Sequence, residues 1–579
     1  MGAAVLAFPG VRSVRSTAAA RPNVIIVLSD DQGYGDFSCH GNPVLKTPNL
    51  DALHDRSVRL TDFHVAPVCT PTRSQLMTGL DALHNRACCV PSGRNLMRRD
   101  IPTMAGIFKS GGYRTGLFGK WHLGDAYPDR PMDRGFDKAV WFHGYGLQSE
   151  IEFDNDYVNP RYLDGTRVKQ ADGYCTDFWF GEAIRWMEEC RRKKEPFFVY
   201  LPTNVPHGPL WAEEKYAALY REKVDTPTAD FFGMIANLDD NIGRLEAWLM
   251  RSGLRENTIV IFMNDNGGTV GMKTWNAGLR EGKGSHYEGG HRAACFIRWP
   301  VGGFGQPRDV TVPAQIQDLL PTLMDLCGLT GPGGAAFDGL SLVPLLRNQG
   351  PFPDRMFMVH YGGRIRPVKY EGCLIWNQWR LLKGEELYDI RTDLAQTRNL
   401  ANQYPDVLAR MKAFEDQWWS EIEPGLNEFI PMVVGSPVSN PVLLTSNNWQ
   451  EVDVDNHRRV GEAAGGPRGG PWNIQVERDG EYRIELRRWP FHTDCPIGSE
   501  GPRQTVSGRP LSYSVKKISA AGARLIIDGK EHSTGVKPQD LGAVFRCRLA
   551  AGRHIMQGWF RDARNEDLCG AFYAMVTRI

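Results

Sequence analysis

Three short apolar runs most narrow what this chain can fold into: VIIVL at Val24 to Leu28, PFFVYL at Pro196 to Leu201 and TIVIFM at Thr258 to Met263. Each is rich in β-branched or aromatic residues and has no polar alternation, so each reads as a strand buried on both faces. Helical stretches lie between them, such as FFGMIANLDDNIGRLEAWLM, whose apolar residues recur at helical spacing. Strands alternating with helices predict an α/β domain with a mainly parallel sheet sandwiched by helices. That domain is expected over residues 22–343.

A chain of 579 residues is longer than one core usually serves, so further domains are expected. Residues 344–431 read as a small α+β subdomain, in which ELYDIRTDLAQTRNLANQYPDVLARM gives a strand, a turn and a helix from near Pro405. Residues 432–579 read as a β-sandwich. There, WNIQVERDGEYRIELRRWP alternates Ile474 and Val476, then Tyr482, Ile484 and Leu486, around an Asp-Gly pair, which predicts a hairpin. RLIIDGKEH predicts a second one.

A net charge of +1 gives no electrostatic reason for a nucleic-acid partner. No apolar run approaches the ~18 residues of a membrane span. Residues 1–21 pair a short apolar piece with basic residues and a small-residue stretch, TAAA; they resemble a secretion leader without satisfying its full pattern, so a periplasmic or secreted protein is expected, with a cytoplasmic one as the alternative. Twelve cysteines without a recurring CxxC pair form neither a disulfide scaffold nor a zinc pattern.

In open α/β sheets ligands gather beyond the carboxyl ends of the strands. VIIVL runs into Ser29, Asp30 and Asp31, and TIVIFM runs into Asn264, Asp265 and Asn266. Adjacent carboxylates at a buried strand end repel and lose hydration, and a hard divalent cation resolves both costs. Either stretch alone is as well read as a turn cap; two in one domain favour a shared ion.

Lys120 and His122 in GKWHLG supply a point charge and a proton switch. His207 in VPHGP follows the PFFVYL strand between two prolines, which hold an imidazole still for proton transfer. REGKGSHYEGGHR holds Lys283, His286 and His291; a mobile surface loop is its bland alternative. In VAPVCTPTRSQLMTG, Pro71 suits the first turn of a helix, which sets Cys69 at the positive end of the dipole. Most lone cysteines are simply buried small hydrophobes.

The ordered set resembles the type I sulfatases of the alkaline phosphatase superfamily. SDDQGYGD, CTPTR with LMTG, GKWHLG, PHGP, NDNGG and GKGSHYEGG occur in that family's order, as do RGFD, DGLSLVPLL and ELYDI. The resemblance covers about Arg21 to Trp419, and Thr72 stands where many members have serine. It implies an alkaline phosphatase-like fold and oxidation of Cys69 to formylglycine by a dedicated maturation enzyme. It also implies a calcium or magnesium ion held by Asp30, Asp31, Asp265, Asn266 and the modified Cys69. Arg73, Lys120 and Lys283 would neutralise sulfate oxygens, His207 would protonate the leaving alcohol, and His122 would assist expulsion of sulfate. Lys120, His207, Lys283 and His286 are the expected substrate contacts.

A sulfated glycan is the expected substrate, because the additional β-sandwich and the stretch Ala139 to Gly165 would both suit a carbohydrate, with aryl sulfate esters as surrogates. The aromatic, polar stretch Ala139 to Gly165 suits sugar stacking and is equally well read as a packed surface loop. A phosphonate monoester or phosphodiester hydrolase on the same scaffold, and a silent glycan-binding protein, are the alternatives.

Overall fold

The computed structural model describes residues 21–579 except 332, 334–335, 364, 464–465, 503–504 and 511–514. The leader expected at residues 1–21 therefore lies, Arg21 apart, outside the described residues.

The expected α/β layer is present, and its strands stand where the apolar runs put them. β1 (Asn23–Ser29), β2 (Arg114–Lys120), β3 (Lys138–Phe142), β4 (Phe197–Pro202) and β5 (Thr258–Asn264) form the middle of a ten-stranded sheet. Their spatial order is β5, β1, β4, β2, β3, and every pairing among them is parallel. Antiparallel pairings appear only toward the two edges. All seven residues of β5 are buried, which is why its sequence shows no alternation.

Four helices matter for function. α1 (Cys69–Thr78) has every residue buried, including Thr70, Thr72, Arg73 and Ser74, so it shows no amphipathic period. α2 (Thr226–Arg251) packs one sheet face, starting from Asp225, whose side chain accepts from Thr228 N. α3 (Pro405–Ile422) begins at the predicted proline and covers a four-stranded antiparallel sheet built from Met356–His360, Gly372–Trp376, Trp379–Leu382 and Glu386–Asp389. α4 (His457–Ala463) belongs to the C-terminal region. Among the described residues no helix is long and apolar enough to cross a membrane.

The C-terminal region is a sandwich of two sheets around one core, to which Leu96 and Phe153 of the α/β part also contribute. One of the two expected hairpins is not there. Trp472–Val476 and Gly480–Arg487 sit in different sheets, each paired with other strands, so the first Asp-Gly pair turns a corner between sheets. Gly522–Ile527 and Lys530–Gly535 do pair, across Asp528 and Gly529. The difference lies in the backbone: Asp528 and Gly529 both have positive φ, +48° and +81°, as a tight hairpin turn requires. In the first pair only Gly480 does, at +156°.

Candidate active site

Because β1, β4, β2 and β5 run parallel, their carboxyl ends open onto one edge. The register sets Ser29 opposite Asn264 and Leu28 opposite Pro202, so the polar residues that follow each strand meet over a single spot. Gly119 makes the closest approach possible. Its φ is +129°, and a Cβ there would lie 1.9 Å from the Pro202 carbonyl oxygen. The end of β2 can thus press against β4 and deliver Lys120 inward.

α1 arrives at the same edge with Cys69 as its first residue. Cys69 Sγ lies 3.2 Å from Asp30 Oδ1 and 3.3 Å from Asn266 Oδ1. Lys120 Nζ donates to Asp30 Oδ2 at 2.7 Å, and Arg73 donates to Asp265 Oδ2 at 2.7 Å. Lys283 Nζ donates to Asp31 Oδ1 and stands 3.5 Å from Cys69 Sγ. Three carboxylates thus face three cations, and Asp30, Arg73, Lys120 and Asp265 have no exposed surface. Such a set is tolerable in a protein interior only because each charge is compensated.

The electrostatics follow. Burial raises the Asp30 carboxyl, yet Lys120, His207, Arg73 and Lys283 together hold it well below the usual carboxylate range. Burial raises Asp31 too, and Lys283 with His207 more than offsets this. Asp265, with burial and Asp30 both against ionisation, is pushed up to about 6. Burial, with Asp265 and Asp30, drives the Cys69 thiol well above its ordinary range. An unmodified Cys69 is therefore a poor nucleophile in this position, since the thiolate is the reactive form.

The donor chemistry fits a hard divalent cation. One ligand atom each from Asp30, Asp31, Cys69 and Asp265 lies within 4.8 Å of all the others, and Asn266 Oδ1 faces the same point. Carboxylate and amide oxygens suit calcium or magnesium; the sulfur is the odd donor.

Two imidazoles flank this base. His207 donates from Nδ1 to Gly208 O at 2.6 Å and turns Nε2 toward Asp31, 3.8 Å from Oδ2. Burial lowers its pKa, against the opposing pull of Asp31 and Asp30. His122 lies 3.2 Å from Thr70 Oγ1, and burial with Lys120 and Arg73 keeps it neutral, its pKa well below the ordinary value.

The cavity above holds about 660 Å³ and is lined by Cys69, His122, His207 and Lys283. His286 is not among its lining residues. That ring sits 6.2 Å from His360 between centroids, and burial lowers its pKa to about 3. His291 lies deeper, sharing a 2.9 Å hydrogen bond with His64. The nearby acids Glu288 and Asp62 are already paired with Arg292 and Arg380.

Tyr145 and Glu281 line the cavity from stretches the sequence marked without naming them, and Tyr361, Asp455, Asn456 and Arg459 line it with no sequence signal as site residues. Tyr145 stands over the base, its ring centroid 5.5 Å from Lys120 Nζ and 5.2 Å from that of His207. It belongs to the aromatic stretch Ala139 to Gly165, most of which does not face substrate space. Leu147, Gln148, Ser149, Glu150, Ile151 and Phe153 are buried; Gln148, Ser149, Glu150 and Phe153 pack against the C-terminal region, and Leu147 packs in the α/β core. Among the described residues none of the twelve cysteines is disulfide-bonded.

Comparison with known proteins agrees with this geometry. The Sulfatase family model matches residues 22–329. Mouse arylsulfatase J is 31% identical over 408 residues, covering 64% of this chain and 66% of that one. Human arylsulfatase A is 32% identical over 381 residues, covering 61% and 73%. Among solved structures, Ps i-CgsB in complex with k-i-k-neocarrahexaose superposes with a TM-score of 0.64 at 26% identity, over 71% of this chain and 95% of that one.

Proposed function

The chain belongs to the sulfatase family of sulfuric ester hydrolases, and from that premise we propose that it hydrolyses the sulfate ester of a saccharide at Cys69. The observation that carries this is the placement of Cys69 Sγ among Asp30, Asn266 and Lys283, with Arg73 and Lys120 behind them.

Cys69 is the precursor of formylglycine, produced by a formylglycine-generating maturation enzyme. Once present, that group supplies an attacking oxygen and, by returning to the carbonyl, a way to expel sulfate that a serine or cysteine lacks. Asp30, Asp31, Asp265 and Asn266 would hold a calcium or magnesium ion, which supplies positive charge to sulfate oxygens.

The chain's own residues do the rest. Lys283, nearest to Sγ, binds the sulfate oxygens, and Arg73 and Lys120 fix the carboxylates and add positive potential from below. His207, its ring fixed by the Gly208 carbonyl, hands a proton from Nε2 to the departing alcohol oxygen. His122, aligned by Thr70, takes the proton released when sulfate leaves.

A saccharide is favoured over a flat aryl group by the polar upper cavity, where Glu281, Ser285, Asp455, Asn456 and Arg459 face inward. Similarity to Ps i-CgsB, solved in complex with k-i-k-neocarrahexaose, points the same way. A sulfated polymer is met outside the cytoplasm, in keeping with the expected export.

Release of sulfate and phosphate from matched 4-nitrophenyl esters tests this. Sulfate release is expected to be the faster. Faster phosphate release would favour a phosphonate monoester or phosphodiester hydrolase, and release of neither would leave a glycan-binding protein.

A further inference from the structure

The geometry points to the C-terminal β region as part of the substrate site, in which Asp455, Asn456 and Arg459 bind hydroxyl and anionic groups of the saccharide that carries the sulfate. This rests on the saccharide reading above and adds a location and three residues to it.

The three residues line the same cavity as Cys69, His122 and His207, although they come from the far end of the chain. Their position is fixed by main-chain pairing rather than by loose contact. Ser149 and Asn456 form an antiparallel bridge, Glu150 N donates to Asp455 O at 3.1 Å and His457 N donates to Gln148 O at 3.1 Å. The His457 ring adds a bond from Nδ1 to Gln148 O at 2.6 Å. Thr445 Oγ1 donates to Glu150 Oε1 at 2.9 Å, and Tyr573 OH donates to Glu150 O. The buried stretch Gln148 to Glu150 is therefore one seam along which the sandwich docks on the α/β part, the one that carries Asp455 to the cavity.

The side chains at this wall are pre-set. Asn456 accepts at Oδ1 from Arg459 N, 2.9 Å away, and donates from Nδ2 to Asp455 Oδ1 at 2.7 Å. Arg459 pairs with Asp453 and lies 3.4 Å from Asp455 Oδ1. A carboxylate, an amide and a guanidinium held side by side match adjacent ring hydroxyls, and the guanidinium has further donors of the kind that meet an anionic substituent. With the ester seated over Cys69, such a wall contacts the body of the sugar and not the reacting sulfur. Held geometry of this kind lowers the ordering cost of binding.

The test compares kcat/KM on 4-nitrophenyl sulfate with that on galactose 6-sulfate, N-acetylgalactosamine 6-sulfate, glucosamine 6-sulfate and k-i-k-neocarrahexaose. Arg459→Ala is expected to cost roughly ten-fold more on the best saccharide than on the aryl ester, mainly through KM, as loss of a charged hydrogen bond implies. Arg459→Lys should recover part of that difference while leaving the fold intact. Arg458→Ala, next to it on α4 and paired outward with Glu462, should change neither. Equal losses on both substrate types, or no loss on either, would overturn the wall while leaving the saccharide reading standing. A wild-type protein that cleaves the aryl ester and none of the four saccharides would overturn the saccharide reading, and this inference with it.

Discussion

At the floor of the cavity, Asp30, Asp31 and Asp265 face Arg73, Lys120 and Lys283, all of them buried except Lys283, which is half-buried and lines the cavity. At its rim, Asp455, Asn456 and Arg459 face the same space from a loop and helix of the C-terminal region, Asp455 buried and Asn456 and Arg459 half-buried. The floor is assembled from residues at or close after parallel strand ends, with Cys69 at a helix start, so one sheet edge positions most of them. The rim depends on one region docking against another, through backbone bonds at Gln148 to Glu150, side-chain pairs such as Arg509 with Asp230, and a shared apolar core. The floor is suited to stabilising charge at a reacting centre, the rim to choosing what is presented to it.

The comparison breaks first at Cys69. Cys69→Ala should lower sulfate release at least about a thousand-fold, as removal of a covalent nucleophile does, with an unchanged circular dichroism spectrum. If rate survives, the floor is not where the chemistry happens.

Lys120→Ala comes next. It leaves the buried Asp30 without its 2.7 Å partner, a loss of about 3–5 kcal/mol when a buried pair is broken. Thermal melts should fall accordingly and recover in part with added calcium, which binds only the folded carboxylates. A melt insensitive to both changes would mean that the floor is not charge-compensated as described.

His207→Ala should separate leaving groups. A saccharide alcohol needs a proton to depart and 4-nitrophenolate does not, so kcat should fall roughly a hundred-fold for the first and only a few-fold for the second. Equal falls would remove His207 from proton transfer.

The smallest effect concerns a carboxylate buried away from both regions. Burial, with the Asp416 charge beside it, pushes Glu415 on α3 up to about 7. An acid with a raised folded pKa holds its proton more tightly when folded, so its stability contribution is fullest below about pH 4 and is lost as pH rises through about 7. Glu415→Gln should flatten the melting temperature between about pH 5 and pH 8. An unchanged slope would show that burial alone does not penalise a carboxylate here, which weakens the contrast with the compensated Asp30.

Much of the floor was legible in the sequence because strand-end chemistry is local: once VIIVL and TIVIFM are read as parallel neighbours, Asp30, Asp31, Asp265 and Asn266 must meet. α1 was harder, since a helix buried on every side has no period to detect, and Cys69 was reached only through its neighbours and the family resemblance. The rim was not legible. EVDVDNHRR has the composition of any surface loop, and only the docking of Gln148 to Glu150 brings it to the cavity. The same seam divides the aromatic stretch: Tyr145 reaches the cavity, whereas Gln148 to Glu150 and Phe153 are buried against a second region that the local sequence does not announce. The two Asp-Gly pairs teach a similar lesson, because one dipeptide serves both a hairpin and a corner, and the backbone φ of the residue before glycine decides which.

The most direct test is the mass of the tryptic peptide Leu60 to Arg73 from protein made together with a formylglycine-generating enzyme. The predicted result is replacement of the Cys69 thiol by an aldehyde, in a fraction that rises in step with sulfate release from 4-nitrophenyl sulfate. A peptide that remains entirely thiol in a preparation that hydrolyses the ester would contradict it.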